Sequence, residues 1–196
     1  MCCIINRYKD KCKKKDKKKN RRGDYMQLYK ALDVSRYIIN YCNKKKSPVS
    51  NLQLQKILYY VQAAFLVEED RPCFSDEIIN WSYGPVVEIV YREYRNFGHN
   101  VITEQNKYEE LLYDKAKNQI IFKEKTFSPD IFSNQDIVLI DKITDIYYKC
   151  DAFDLVEKTH NEDPWKNSNV NEEITNKIIK EYYSNNPDEL YNKSSV

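Results

Sequence analysis

The chain has 196 residues and a mass of 23.5 kDa, enough for one hydrophobic core rather than two. Apolar residues make up 41% and charged residues 32%, a polar composition that still excludes disorder throughout, since 17 tyrosines and 7 phenylalanines can fill a core. The longest uncharged stretch, Ile57–Val67, has eleven residues where a membrane-crossing helix needs about 18, which excludes such a helix. The opening Cys2-Cys3-Ile4-Ile5 is too short for the apolar region of a secretion signal, so a cytoplasmic location is expected.

Residues 1–22 hold eleven basic and two acidic residues, a charge of +9, which leaves the remainder at −7. Such a basic arm could follow phosphate or anionic lipid. Like-charge blocks are more often solvated extensions, and no aromatic interrupts Lys13–Arg22 to stack on bases. The six cysteines form no C-x-x-C pair, so free thiols are expected, with no metal and no cofactor.

After Gly23-Asp24 a helical stripe begins near Leu32, with Val34, Tyr37, Ile38 and Tyr41 at helical spacing, and ends in Lys44–Lys46. Ser50 or Asn51 caps the next helix, whose apolar positions include Leu54, Ile57, Leu58, Val61, Ala64 and Phe65. Its polar face is expected to carry Gln53, Lys56 and Gln62, and its wide stripe predicts a central helix. Ile78–Tyr83 reads as a short strand. Gly84-Pro85 then reads as a sharp junction, with Gly supplying a positive φ and Pro the first position of a helix that closes at Phe97-Gly98.

Residues 99–129 give the weakest pattern, with Ile120–Phe122 as a second short strand pairing with Ile78–Tyr83. Ser133 opens a helix through Tyr147, Asp151–Thr159 forms a short one, and Ile174–Tyr182 marks the last. The expected fold is mainly α: about six helices with a minor two-stranded antiparallel β element.

Three glycines cannot build a phosphate-binding cradle, and His99 and His160 are isolated. His160-Asn161-Glu162-Asp163 could be an active-site cluster. The favoured reading is a helix end, with His160 on the C-terminal dipole and the acids preceding a Pro164-Trp165 turn. Glu68/Glu69 and Glu109/Glu110 read as solvated surface. No enzyme is expected. Tyr59, Tyr60, Tyr83, Tyr91 and Tyr94 surround Trp81 in sequence, and their polar-tipped rings suit a core and a partner-binding patch alike.

Three blocks resemble a known family. Leu32–Ile39 with Ser50–Ala63 resembles the opening of the SocA-like antitoxin family, the Panacea domain. Ile79-Asn80-Trp81-Ser82-Tyr83-Gly84-Pro85-Val86-Val87 through Tyr94 is similar to its most diagnostic motif, and Leu155–His160 with Asp163-Pro164-Trp165-Lys166 to its C-terminal signature. The chain departs from the pattern at Glu88, where the family often has proline or a small residue, and residues 99–130 match no motif.

The resemblance implies a mainly α-helical antitoxin of a toxin–antitoxin system, non-catalytic, binding a cognate toxin protein directly; some members are phage-associated. Motif or partner-binding positions are then Asn51, Gln55, Lys56, Tyr59, Trp81, Tyr83, Gly84, Pro85, Tyr91, His160, Pro164 and Trp165, with specificity in the middle stretch or on exposed faces. Met26 reads as a typical family start, which makes residues 26–196 the domain and 1–25 an upstream extension; arm peptides in the native protein would overturn that start. The alternative function is a nucleic-acid-binding regulator using residues 1–22.

Overall fold

The computed structural model describes residues 28–114 and 118–192, so the basic arm and the proposed start at Met26 lie outside the described residues. In chain order the elements are α1 (Ala31–Lys44), α2 (Asn51–Glu68), β1 (Ile79–Trp81), β2 (Gly84–Val86), α3 (Glu88–Tyr94), β3 (Lys107–Asp114), β4 (Gln119–Thr126), α4 (Asn134–Tyr147), α5 (Ala152–Asn161), α6 (Asp163–Lys166), α7 (Asn176–Asn185) and α8 (Pro187–Tyr191). Short 3-10 turns at Arg95–Phe97 and Pro129–Ile131 complete them. The fold is mainly α, but with eight α-helices among the described residues rather than about six. The two unforeseen helices, α6 and α8, are single turns with proline in the first helical positions, where its missing N–H costs nothing.

Helix α2 organises the core. Ser50 and Gln53 form a reciprocal capping box, Gln53 N–H donating to Ser50 Oγ at 3.3 Å and Ser50 N–H to Gln53 Oε1 at 2.9 Å. Fourteen of its 18 residues are buried, so it is enclosed on all sides. That corrects the expected polar face, because Lys56 and Gln62 lie inside. A buried amide is tolerated only when satisfied. Gln62 meets this by accepting from the Cys73 and Phe74 N–H groups and donating to Phe74 O and Asn176 Oδ1.

Helices α1, α4, α5, α7 and α8 pack around α2. Tyr37 and Tyr41 on α1 donate to Asp141 and Asp145 on α4 at 2.8 and 2.9 Å. Tyr29 and Arg71 converge on the buried Asp136 at the start of α4. Tyr59, Tyr60, Tyr94, Tyr147 and Tyr183 are fully buried, and Tyr60 stacks on Tyr147 at 4.1 Å. Cys42 and Cys73 are buried free thiols; burial pushes the Cys42 thiol up to about 12, leaving it a small apolar side chain. No helix of the described residues is long and apolar enough to cross a membrane.

The strands pair differently from expectation. β1 pairs with β2, with Asn80 opposite Pro85 and Trp81 opposite Gly84. Gly84-Pro85 is therefore a strand rather than a helix start. Proline fits because Asn80 turns its backbone groups the other way, donating to Glu172 O at 2.9 Å and accepting from Asn171 N–H at 2.7 Å, so position 85 needs no donor. Ile120–Phe122 belongs to β4, which pairs with β3 in an eight-residue antiparallel hairpin and not with Ile78–Tyr83. Glu109 and Glu110 sit on β3, where neighbours point to opposite faces.

Candidate functional site

The β1–β2 turn, the first turns of α2, and α3 enclose a groove of about 280 Å³. Five expected site residues line it: Asn51, Gln55, Trp81, Tyr83 and Tyr91, joined by Arg95. A relay of amides holds its floor. Gln55 Oε1 accepts from Val87 N–H at 2.9 Å, its Nε2 donates to Asn51 Oδ1 at 2.9 Å, and Asn51 Nδ2 donates to Tyr91 O at 3.1 Å. Both amides are buried, so their orientation is set by these bonds. The rim is aromatic. Trp81 meets Tyr91 edge-on at 4.9 Å, Tyr83 is 59% exposed at the turn, and Tyr91 is 39% exposed.

The remaining expected residues form the support beneath. Lys56 is buried and donates to Pro85 O at 3.0 Å, the carbonyl of the strand proline. Burial lowers its pKa to about 7, an effect the charge on Glu162 partly opposes. Gly84 adopts φ +91°, and a Cβ there would lie 2.6 Å from Thr159 Oγ1 and 2.7 Å from Lys56 Nζ. Tyr59 packs inside against Tyr60 and Tyr183. Pro164 is buried at the start of α6.

His160 and Trp165 stack at 3.8 Å, and Trp165 Nε1 donates to Trp81 O at 3.0 Å, tying α5 and α6 to β1. Burial, with the nearby Lys56 charge, lowers the His160 pKa. The residue lies in the last turn of α5, as its position suggests, with its ring stacked on Trp165. The expected aromatic cluster around Trp81 also divides, Tyr83 and Tyr91 staying at the groove while Tyr59 and Tyr60 turn to the core.

Two residues carry more than their sequence positions suggest. Glu162, expected as an acid preceding the Pro164-Trp165 turn, is 2% exposed. Tyr60 and Tyr183 hydroxyls donate to it at 3.1 and 2.7 Å, and Lys158 lies 3.7 Å away. Burial raises its pKa to about 7 against the opposing pull of Tyr183, Lys158 and Tyr60. The i, i+4 spacing to Lys158 was the legible signal. Asn80 donates through Nδ2 to the carbonyls of Trp165 and Ser168 at 2.9 and 2.8 Å, clasping β1 to the chain after α6.

A protein-family model described as antitoxin SocA-like, Panacea domain, matches residues 54–166. The chain belongs to this family. Of the expected site residues, Asn51 alone precedes the Panacea match, and both the groove and its support lie mostly within it. The antitoxin SocA of Caulobacter vibrioides (strain NA1000 / CB15N) is 47% identical over 45 residues, 23% of this chain. The chain spans about a quarter of that relative's length, 24%. No solved structure matches. Helices α1, α7 and α8 fall outside the Panacea match, yet they supply buried core residues including Ile38, Tyr183 and Leu190.

Proposed function

We propose that this protein is an antitoxin that neutralises a cognate toxin by direct, stoichiometric protein–protein binding, with residues 26–196 as the binding domain. Membership of the SocA-like Panacea family is the observation that carries the reading. The exposed aromatic rim supports it, because Tyr and Trp with an accessible apolar face are the residues that dominate protein interfaces. The motif's ionisable groups also favour binding over catalysis: Lys56 serves the Pro85 carbonyl and Glu162 two tyrosine hydroxyls, so each has a structural task.

The test is co-expression with the neighbouring open reading frame. Growth rescue with co-purification supports the reading, and a toxic neighbour that this chain neither binds nor silences overturns it. A Tyr83→Ala/Tyr91→Ala variant is expected to weaken the complex by at least about 2 kcal/mol, roughly thirtyfold, by titration calorimetry. Its thermal midpoint should change little, since both rings are exposed. An alanine scan in which only charged side chains matter would contradict an aromatic interface.

A further inference from the structure

The β3–β4 hairpin carries an apolar face that nothing among the described residues covers. Its register sets Leu111 opposite Phe122 and Tyr113 opposite Ile120. Directly opposed residues share a face, and so do residues two apart along a strand, so these four side chains form one contiguous patch. They are 63%, 68%, 58% and 61% exposed, respectively. The opposite face carries Tyr108, Glu110 and Leu112. That face meets the body, with Arg36 lying 3.7 Å over the Tyr108 ring and Lys30 pairing with Glu110. The patch therefore points away from the core, where isolated apolar side chains are ordinary but a packed quartet is not.

The charges beside the patch define what would cover it. The next opposed pair on this face is Glu109 with Glu124, two carboxylates directly across from one another, an arrangement that costs stability in a sheet. Lys107 pairs with Glu124 at 2.8 Å, while Glu109 has no cationic partner among the described residues. The charges on this face, Lys107, Glu109 and Glu124, sum to −1, and Lys107 already pairs with Glu124, so the same face of a second copy would bring no unpaired cation to meet Glu109.

We propose that this face is a second docking surface for the partner protein, which presents an apolar patch bordered, on the side facing Glu109 and Glu124, by lysine or arginine. The inference rests on the antitoxin reading. The hairpin acts as an arm that grips the toxin beside or beyond the contact made by the aromatic groove. Its apolar quartet supplies the desolvated centre and its glutamates the orienting charge. The hairpin lies within the family match but outside the three motif blocks, which leaves its exposed face free to match one toxin rather than another.

The experiment uses the full chain and the protein encoded beside it, co-expressed and then measured by titration and by sedimentation. Leu111→Thr/Phe122→Thr introduces β-branched residues that suit strands, so the hairpin persists while the apolar patch loses half of its quartet. This variant is expected to bind at least tenfold more weakly with its thermal midpoint unchanged. Glu109→Lys is expected to slow association several-fold at low salt, with the difference shrinking at high salt.

If both variants bind like the unaltered chain, the hairpin proposal falls and the antitoxin reading stands. If the unaltered chain fails to bind its neighbour, the antitoxin reading falls and takes this proposal with it. If the threonine variant only converts a dimer to a monomer and leaves partner affinity intact, the patch is a self-contact and the proposal is overturned.

Discussion

Glu162→Ala is expected to destabilise the fold by about 3–5 kcal/mol in urea or thermal unfolding. The substitution strips the acceptor from two buried tyrosine hydroxyls and a charge partner from the buried Lys158 at once. Glu162→Gln, which keeps an acceptor and the shape, should lose much less. Equal losses for the two variants would mean that packing volume, and not hydrogen bonding, explains the site.

The same residue gives stability a pH dependence. The folded-state pKa of about 7 lies above the ordinary value of 4.5, so the native state holds the proton more tightly than the unfolded chain. Its contribution is full below about pH 4.5 and is lost as pH rises through about 7, a span worth about 3 kcal/mol. Lys56 runs the other way. Its folded pKa of about 7 lies below 10.5, so its contribution is full above about pH 10.5 and is lost as pH falls through about 7. The two groups together place a stability minimum near neutrality. Glu162→Gln should flatten the acid limb, and Lys56→Met the alkaline limb with neutral or improved stability at pH 7. A profile unchanged in both variants would remove these residues as its source.

Gly84→Ala is expected to cost about 2–4 kcal/mol, combining a positive φ with a Cβ forced onto buried atoms. Thr159 Oγ1 cannot swing aside cheaply, because its hydroxyl is held by Val156 O at 2.9 Å, and Lys56 Nζ is committed to Pro85 O. Gly98 provides the internal comparison. It too has positive φ, +58°, but a Cβ there would meet nothing within 4 Å. Gly98→Ala should therefore show the backbone cost alone, about 1 kcal/mol. Unfolding midpoints for the pair separate strain from collision, and equal losses would rule the collision out.

Elements that bury one face were legible in the sequence, and elements defined by their partners were not. The stripe of α1, the caps Ser50 and Ser133 and the run Asp151–Thr159 mark four helices close to their observed ends. Pro85 misled because a proline in a strand is acceptable only when its neighbour's hydrogen bonds point elsewhere, and the residues that draw them away, Asn171 and Glu172, are distant in sequence. The β3–β4 hairpin gave a weak signal for a related reason: its apolar quartet faces outward while Glu110 and Lys125 share the half-buried face, so the apolar alternation does not follow burial. In the groove, residue type was informative for Trp81, Tyr83 and Tyr91. For Lys56 and Glu162 it pointed to solvent, because charged side chains are inside only when the surrounding fold supplies their partners.

The clasp on β1 has a consequence for how the protein is made. Asn80 is anchored to carbonyls at 165 and 168, its backbone to 171 and 172, and Ile78 O accepts from Ile174 N–H, while Tyr183 and Leu190 close the core around α2. A chain synthesised only as far as α4 has its central helix exposed along one side and its β1 strand without the carbonyls that clasp it. Synthesis of residues 165–190 supplies the contacts that close the core around α2, so a copy stopped before them would offer a protease its apolar central helix.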